Sequence, residues 1–125
     1  MIMTTSEANP YQTRFSNEVH ASYADTTADK GGGGSGFRPH ELLEAALATR
    51  MNIHLRMYVN NHGIALESVS TAVSVDRSNP VEAIFKYSIV LPGNIDPEAR
   101  GKLMTIAESC PVRLTLSRKI SFLGT

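Results

Sequence analysis

The chain has 125 residues, with twelve basic and twelve acidic side chains and no net charge at neutral pH. Hydrophobic residues make up 42% and charged residues 19%, an ordinary globular composition, and the length fits a single domain over 1–125. With no positive excess there is no electrostatic pull on nucleic acid or an anionic membrane, so neither is expected as a partner. The start, MIMTTSEANP, lacks a charged opening followed by an apolar stretch; it does not read as a secretory signal. Residues 1–10 read instead as a loose tail. No apolar run approaches the roughly 20 residues that span a bilayer. A lone cysteine, Cys110, leaves no internal disulfide to form and fits a reducing, cytoplasmic compartment.

In chain order, Tyr11, Phe15, Val19 and Tyr23 recur among polar residues, which suits a short antiparallel pair turning near Ser16 and Asn17. KGGGGSG, 30–36, reads as a flexible connection, because four consecutive glycines resist any regular element. Pro39 then opens a long helix at a position where its missing N–H costs nothing, and the helix runs to about His62 with Gly63 as its stop. In 66–76, Val69, Thr71, Val73 and Val75 alternate with small polar residues as in a half-buried strand. RSNP is turn chemistry, and 83–91 is a second strand with Phe85, Tyr87 and Ile89 on one face. Asp96 and Pro97 are good first residues for a helix with Leu103, Ile106 and Ala107 as its apolar stripe. Cys110 and Pro111 open a further short helix, and KISFL reads as a closing strand. Helices and strands mixed without a regular βαβ repeat argue for an α+β class with antiparallel pairing.

Two residues stand out chemically. Cys110 sits at a helix start, where unpaired N–H groups favour a thiolate; the alternative is a buried, inert cysteine packed as a small hydrophobe. Arg50 falls in the middle of the long helix. At about 100° per residue, Pro39, Leu43, Ala46, Leu47, Ile53, His54 and Met57 lie within about 60° of it, so the guanidinium shares a mostly apolar face. It either snorkels to an edge and pairs with Glu41 or Glu44, or lines a pocket and meets an anion. The four histidines lack partners at metal-ligand spacing, so no metal is expected. KGGGGSG has no GK[ST] to make it a phosphate loop.

RPHELLEAALAT, then MNIHLRMYVNNHGIALESV, then IDPEARGKLMTIAESCPV and a terminal I-S-F resemble the OsmC/Ohr family. These are the osmotically inducible and organic hydroperoxide resistance proteins, and the likeness is to their small OsmC-like branch. The resemblance implies an α+β fold with antiparallel sheets wrapped around long central helices, in an intertwined homodimer with its sites at the subunit interface. It implies no cofactor: family enzymes reduce organic hydroperoxides with two cysteines, one in the long helix that attacks and one in CPV that resolves the sulfenic acid as a disulfide. The attacking cysteine normally follows a run of small residues. Here AALAT leads into Arg50, so the resemblance puts Arg50 at that position and leaves Cys110 as the resolving partner. Where the family often carries a Glu after the helix-opening proline, this chain has His40, with Glu41 next. Arg14 is the only offer for the family's catalytic arginine.

A guanidinium has no nucleophilic lone pair at neutral pH. Three readings follow: a protein that keeps the fold and binds an apolar small molecule, a one-cysteine peroxidase in which Arg50 supports the Cys110 thiolate, or an Arg50 that is purely structural. Since residues that act as a unit are not replaced by one survivor, the binding or vestigial reading is expected, with the one-cysteine hydroperoxide reductase of an oxidative stress response as its alternative. Cys110 is the candidate catalytic residue; Arg50, His40 and Glu41 are the candidate pocket residues.

Overall fold

A computed structural model describes residues 1–125. The chain forms two compact units, Met1–Leu43 and Glu44–Thr125. No helix is long and apolar enough to cross a membrane.

The first unit is built on an antiparallel meander of β1 (Met3–Ser6), β2 (Thr13–Ser16) and β3 (Ala21–Ala24). The expected pair is β2 with β3, in register Thr13↔Ala24 and Phe15↔Ser22. Its turn is held by Asn17, whose Oδ1 accepts the N–H groups of Val19 at 3.2 Å and His20 at 2.7 Å; Glu18 takes the left-handed φ of 79° that the tight reversal requires. The loose tail expected over 1–10 is corrected: Met3–Ser6 is a strand, paired Thr4↔Phe15 and Thr5↔Arg14. All four of its residues are exposed, so no apolar alternation marks it; backbone pairing to β2 orders it, helped by β-branched threonines.

The glycine-rich stretch is likewise a built loop rather than a loose connection. A single 3-10 turn, Ala28–Lys30, ends on Gly31 at φ 87°, and the chain folds back so that Asp25 N–H donates to Phe37 O and Phe37 N–H to Tyr23 O. A Cβ on Gly32 would stand 2.1 Å from Thr26 O, and one on Gly36 2.3 Å from Tyr23 O. At these two positions glycine is required because backbone meets backbone.

α1 (Pro39–Asn61) starts on Pro39 as expected, and Glu41 reaches back to accept the Arg38 N–H at 3.0 Å, which satisfies one orphan donor of the first turn. It ends before Gly63, at φ 62°. Within the second unit β4 (Ser70–Asn79) and β5 (Glu82–Val90) form an antiparallel pair in register Val73↔Tyr87 and Val75↔Phe85. The expected strand starts later and runs further: Arg77, Ser78 and Asn79, read as a turn, belong to β4. A register shift between Asp76 and Asn79 absorbs them, with Asp76 Oδ1 accepting Ser78 N–H at 3.0 Å. α2 (Pro97–Ala107) and α3 (Pro111–Leu116) stand where Asp96–Pro97 and Cys110–Pro111 predict, although the Asp96 side chain makes no cap hydrogen bond. The closing strand does not form. Residues 119–125 have no regular structure, and Ile120, Phe122 and Leu123 are 55%, 94% and 91% exposed. A strand needs a neighbour to take its N–H and C=O groups, and the segment pairs with neither sheet of the chain.

The core of the second unit collects Leu47, Met51, Leu55 and Val59, four apart along α1, against Val69, Leu91, Leu103, Ala107 and Cys110. The helix therefore turns a different face inward from the one centred on Arg50. Leu43, Ile53 and Met57, which share Arg50's face, stay 44%, 47% and 51% exposed.

Candidate functional site

Cys110 lies at the junction of α2 and α3, where its C=O accepts the Leu114 N–H at 2.9 Å. It is a free cysteine with no exposed surface, sealed among the core leucines, Met51 and Ala107. Helix α3 is only six residues long, so few aligned peptides act on the sulfur. A molecule in solvent does not reach the sulfur unless the core opens.

Arg50 sits on α1 between two core residues, Leu47 and Met51, and is itself partly buried. Its Nε is buried without a hydrogen-bond partner. The chain's two ion pairs are Arg38–Glu41 and Lys86–Asp76, so neither expected carboxylate answers Arg50. Glu44 Oε1 instead accepts the Val75 N–H at 2.9 Å, and Glu41 is held by Arg38 Nε at 2.8 Å, which keeps its carboxyl below the usual range. A buried N–H left unpaired costs about 1–3 kcal/mol.

One turn after Arg50, His54 Nε2 lies 3.0 Å from Ser109 Oγ, and that hydroxyl donates to Ile106 O at 2.8 Å. With its hydrogen committed to the carbonyl, the hydroxyl accepts from the imidazole, which places the ring proton on Nε2. The contact ties Arg50's flank of α1 to the residue preceding Cys110. Sequence reasoning passed over this pair; the usable signal was the four-residue step from Arg50 to His54 together with a hydroxyl beside the cysteine.

The other candidates do not gather here. His40 is exposed on the first turn of α1. Arg14 is exposed on β2, with only a long 3.4 Å contact to Ser16 Oγ. Strand alternation turns Arg14 away from Thr13 and Phe15, which line a cavity of about 680 Å³ in the first unit. Ile2, Tyr11, Pro39 and Leu42 complete its apolar wall, and none of the candidate residues contributes to it. Its one charge, Asp25, is 4% exposed and already satisfied: the carboxylate accepts N–H groups from Thr26 at 2.7 Å, Ser35 at 3.0 Å and Gly33 at 3.3 Å. The Ser35 and Thr26 bonds hold its pKa below the usual value. A smaller cleft of about 340 Å³ lies between Leu47, β5 and α3, with Tyr87 and Arg113 on its rim. No three His, Cys, Asp or Glu side chains come together to hold a metal ion.

Residues 32–122 match the family described as OsmC-like protein. No curated protein matches the chain. Among solved structures, the chain is similar to a Psychrobacter arcticus protein assigned to the osmotic stress and detoxification response, with TM-score 0.75 and 18% identity over 91% of this chain and 85% of that one. It is also similar to an OsmC-like protein from Mycoplasma pneumoniae, with TM-score 0.70 and 18% identity over 93% and 85%. A third likeness is to the organic hydroperoxide resistance protein OsmC of Legionella pneumophila, with TM-score 0.66 and 19% identity over 94% and 88%. At these identities the likeness is one of fold: α+β, with antiparallel sheets and a long central helix.

Proposed function

The chain belongs to the OsmC-like protein family, and from that premise we propose a member that has lost the two-cysteine hydroperoxide reductase cycle and works as a homodimeric small-molecule-binding protein. One observation carries the reading: the only sulfur nucleophile, Cys110, has no exposed surface and no second cysteine to pair with. The cycle needs one thiolate to break the O–O bond and become a sulfenic acid, and a second to condense with it as a disulfide. In this reading Arg50 occupies the position of the attacking cysteine and contributes a fixed positive charge in place of a nucleophile.

The homodimer has support from surfaces on each unit. The Leu43, Ile53 and Met57 side of α1, the apolar cavity of the first unit, and Ile120, Phe122 and Leu123 are all uncovered in a single chain. Large apolar patches of this kind mark interaction surfaces. Sedimentation is expected to give a dimer at micromolar concentration; a stable monomer removes this part of the proposal.

The enzymatic test uses an organic hydroperoxide with a small dithiol as reductant. The expected result is no consumption above a Cys110→Ser background. A second reading draws on Cys110 standing at the start of α3. There its thiolate attacks the hydroperoxide, the O–O bond breaks, an alcohol leaves, and the external dithiol reduces the sulfenic acid. Turnover that Cys110→Ser abolishes would establish that reading and end the first. Arg50→Cys tests the positional claim: a disulfide with Cys110 on oxidation supports it, while a folded variant that forms none and gains no activity contradicts it.

A further inference from the structure

We infer that Arg50 anchors a site for an amphipathic monoanion, a carboxylate on an apolar body, which closes between two copies of the chain. The inference deepens the proposed binding function and rests on its dimer.

The guanidinium has a buried Nε with no acceptor, and it forms no ion pair within the chain. The two acidic residues of its own helix are engaged elsewhere, Glu41 with Arg38 and Glu44 with the Val75 N–H. Apart from His54, the exposed residues that share its helix face are apolar. Leu43, Ala46, Ile53 and Met57 lie three or four residues apart on either side of Arg50, so they form one seam with a single cation at its middle. From Arg50 to Met57 the seam runs about 10 Å along the helix axis, room for a medium-length alkyl or aryl group beside a carboxylate bonded to the guanidinium. When a second copy covers the seam, Arg50 loses its remaining water. A sealed cation needs a counter-charge, and this chain supplies none.

The ligand's class follows from the same residues. One guanidinium matches one carboxylate, with planar bidentate geometry available. No second cation stands on the seam to favour a dianion such as phosphate. His54, the other polar group on this flank, has Nε2 committed to Ser109.

The experiment measures binding of decanoate, decanol and inorganic phosphate, each below any aggregating concentration, by calorimetry and thermal shift. It compares the wild type with Arg50→Met and Arg50→Lys, and sedimentation is run in parallel. Decanoate is expected to bind the wild type at least about tenfold more tightly than decanol and to raise its Tm. Arg50→Met is expected to erase that preference while keeping the decanol affinity, and Arg50→Lys to keep part of it, which controls for misfolding. Equal binding of decanoate and decanol by the wild type overturns the inference but leaves the dimeric binding function standing. So does phosphate competing as well as decanoate. If no probe binds and Arg50→Met tightens or loosens only the dimer, Arg50 answers to a carboxylate of the second copy and the inference falls. Cys110-dependent hydroperoxide turnover instead removes the proposed function itself.

Discussion

Asp25 and Arg50 are two charges carried into apolar surroundings, and the chain treats them oppositely. Asp25 is 4% exposed, and three backbone N–H groups from Thr26, Gly33 and Ser35 close on its carboxylate. The glycine-rich loop is shaped to deliver those donors. Arg50 has a buried Nε with nothing to accept from it. A carboxylate so held is an architectural part, because three N–H groups of the fold already answer its charge. A guanidinium left open has its strongest interaction still to form, and it lies on a seam of exposed apolar residues.

That contrast can be broken at its Asp25 end first. Asp25→Ala leaves three inward-facing donors unanswered and is expected to lower Tm more than any other single substitution proposed for this chain. Hydrogen exchange at the Gly33 and Ser35 amides should accelerate at least about tenfold as the loop opens; unchanged exchange would show that the loop stands without its anchor. Gly32→Ala is expected to follow, at about 1–3 kcal/mol, because a methyl 2.1 Å from Thr26 O forces backbone apart. Chemical denaturation measures it. At the Arg50 end the sign reverses. Arg50→Met removes an unpaired buried N–H and should leave ligand-free stability unchanged or raise it by about 1 kcal/mol. A loss of more than about 2 kcal/mol would mean that the arginine is structural after all.

The smallest effect is on pH dependence. The Asp25 pKa is lowered by its bonds from Ser35 and Thr26, that of Asp76 by its bonds from Ser78 and Lys86, and that of Glu41 by Arg38. Each is therefore ionised more readily folded than unfolded. Their contribution is fully present above the ordinary carboxylate range and is lost as pH falls below about 4. Unfolding midpoints should be flat above about pH 5 and drop below about pH 4, and Asp25→Asn should shallow that drop. An unchanged slope would assign the acid sensitivity to the other lowered carboxylates, Asp29, Asp76 and Glu41.

The helices were legible because their signals are local. Pro39, Pro97 and Pro111 each begin one, and Gly63 at positive φ ends the first. The α+β class, the β2–β3 turn at Asn17 and the β4–β5 pair followed from equally short-range signals, as did the position of Cys110 at the head of a helix. The face of α1 that turns inward was not legible. Leu47, Met51, Leu55 and Val59 compete with Leu43, Ile53 and Met57 as apolar stripes on one helix, and periodicity alone does not rank them.

By itself, then, the sequence determined where the helices start and stop, which residue types carry chemistry, and that only one thiol is present. Tertiary structure decided that Met3–Ser6 pairs while 119–125 does not, that the glycine-rich loop folds back to set the Gly33 and Ser35 amides on a carboxylate, that Cys110 is sealed, and that Arg50 is unanswered. The physical reason is range. Proline, glycine and capping residues act on their own few neighbours. Strand pairing, burial and the satisfaction of a charge instead depend on groups far away in sequence, whose approach no local pattern records.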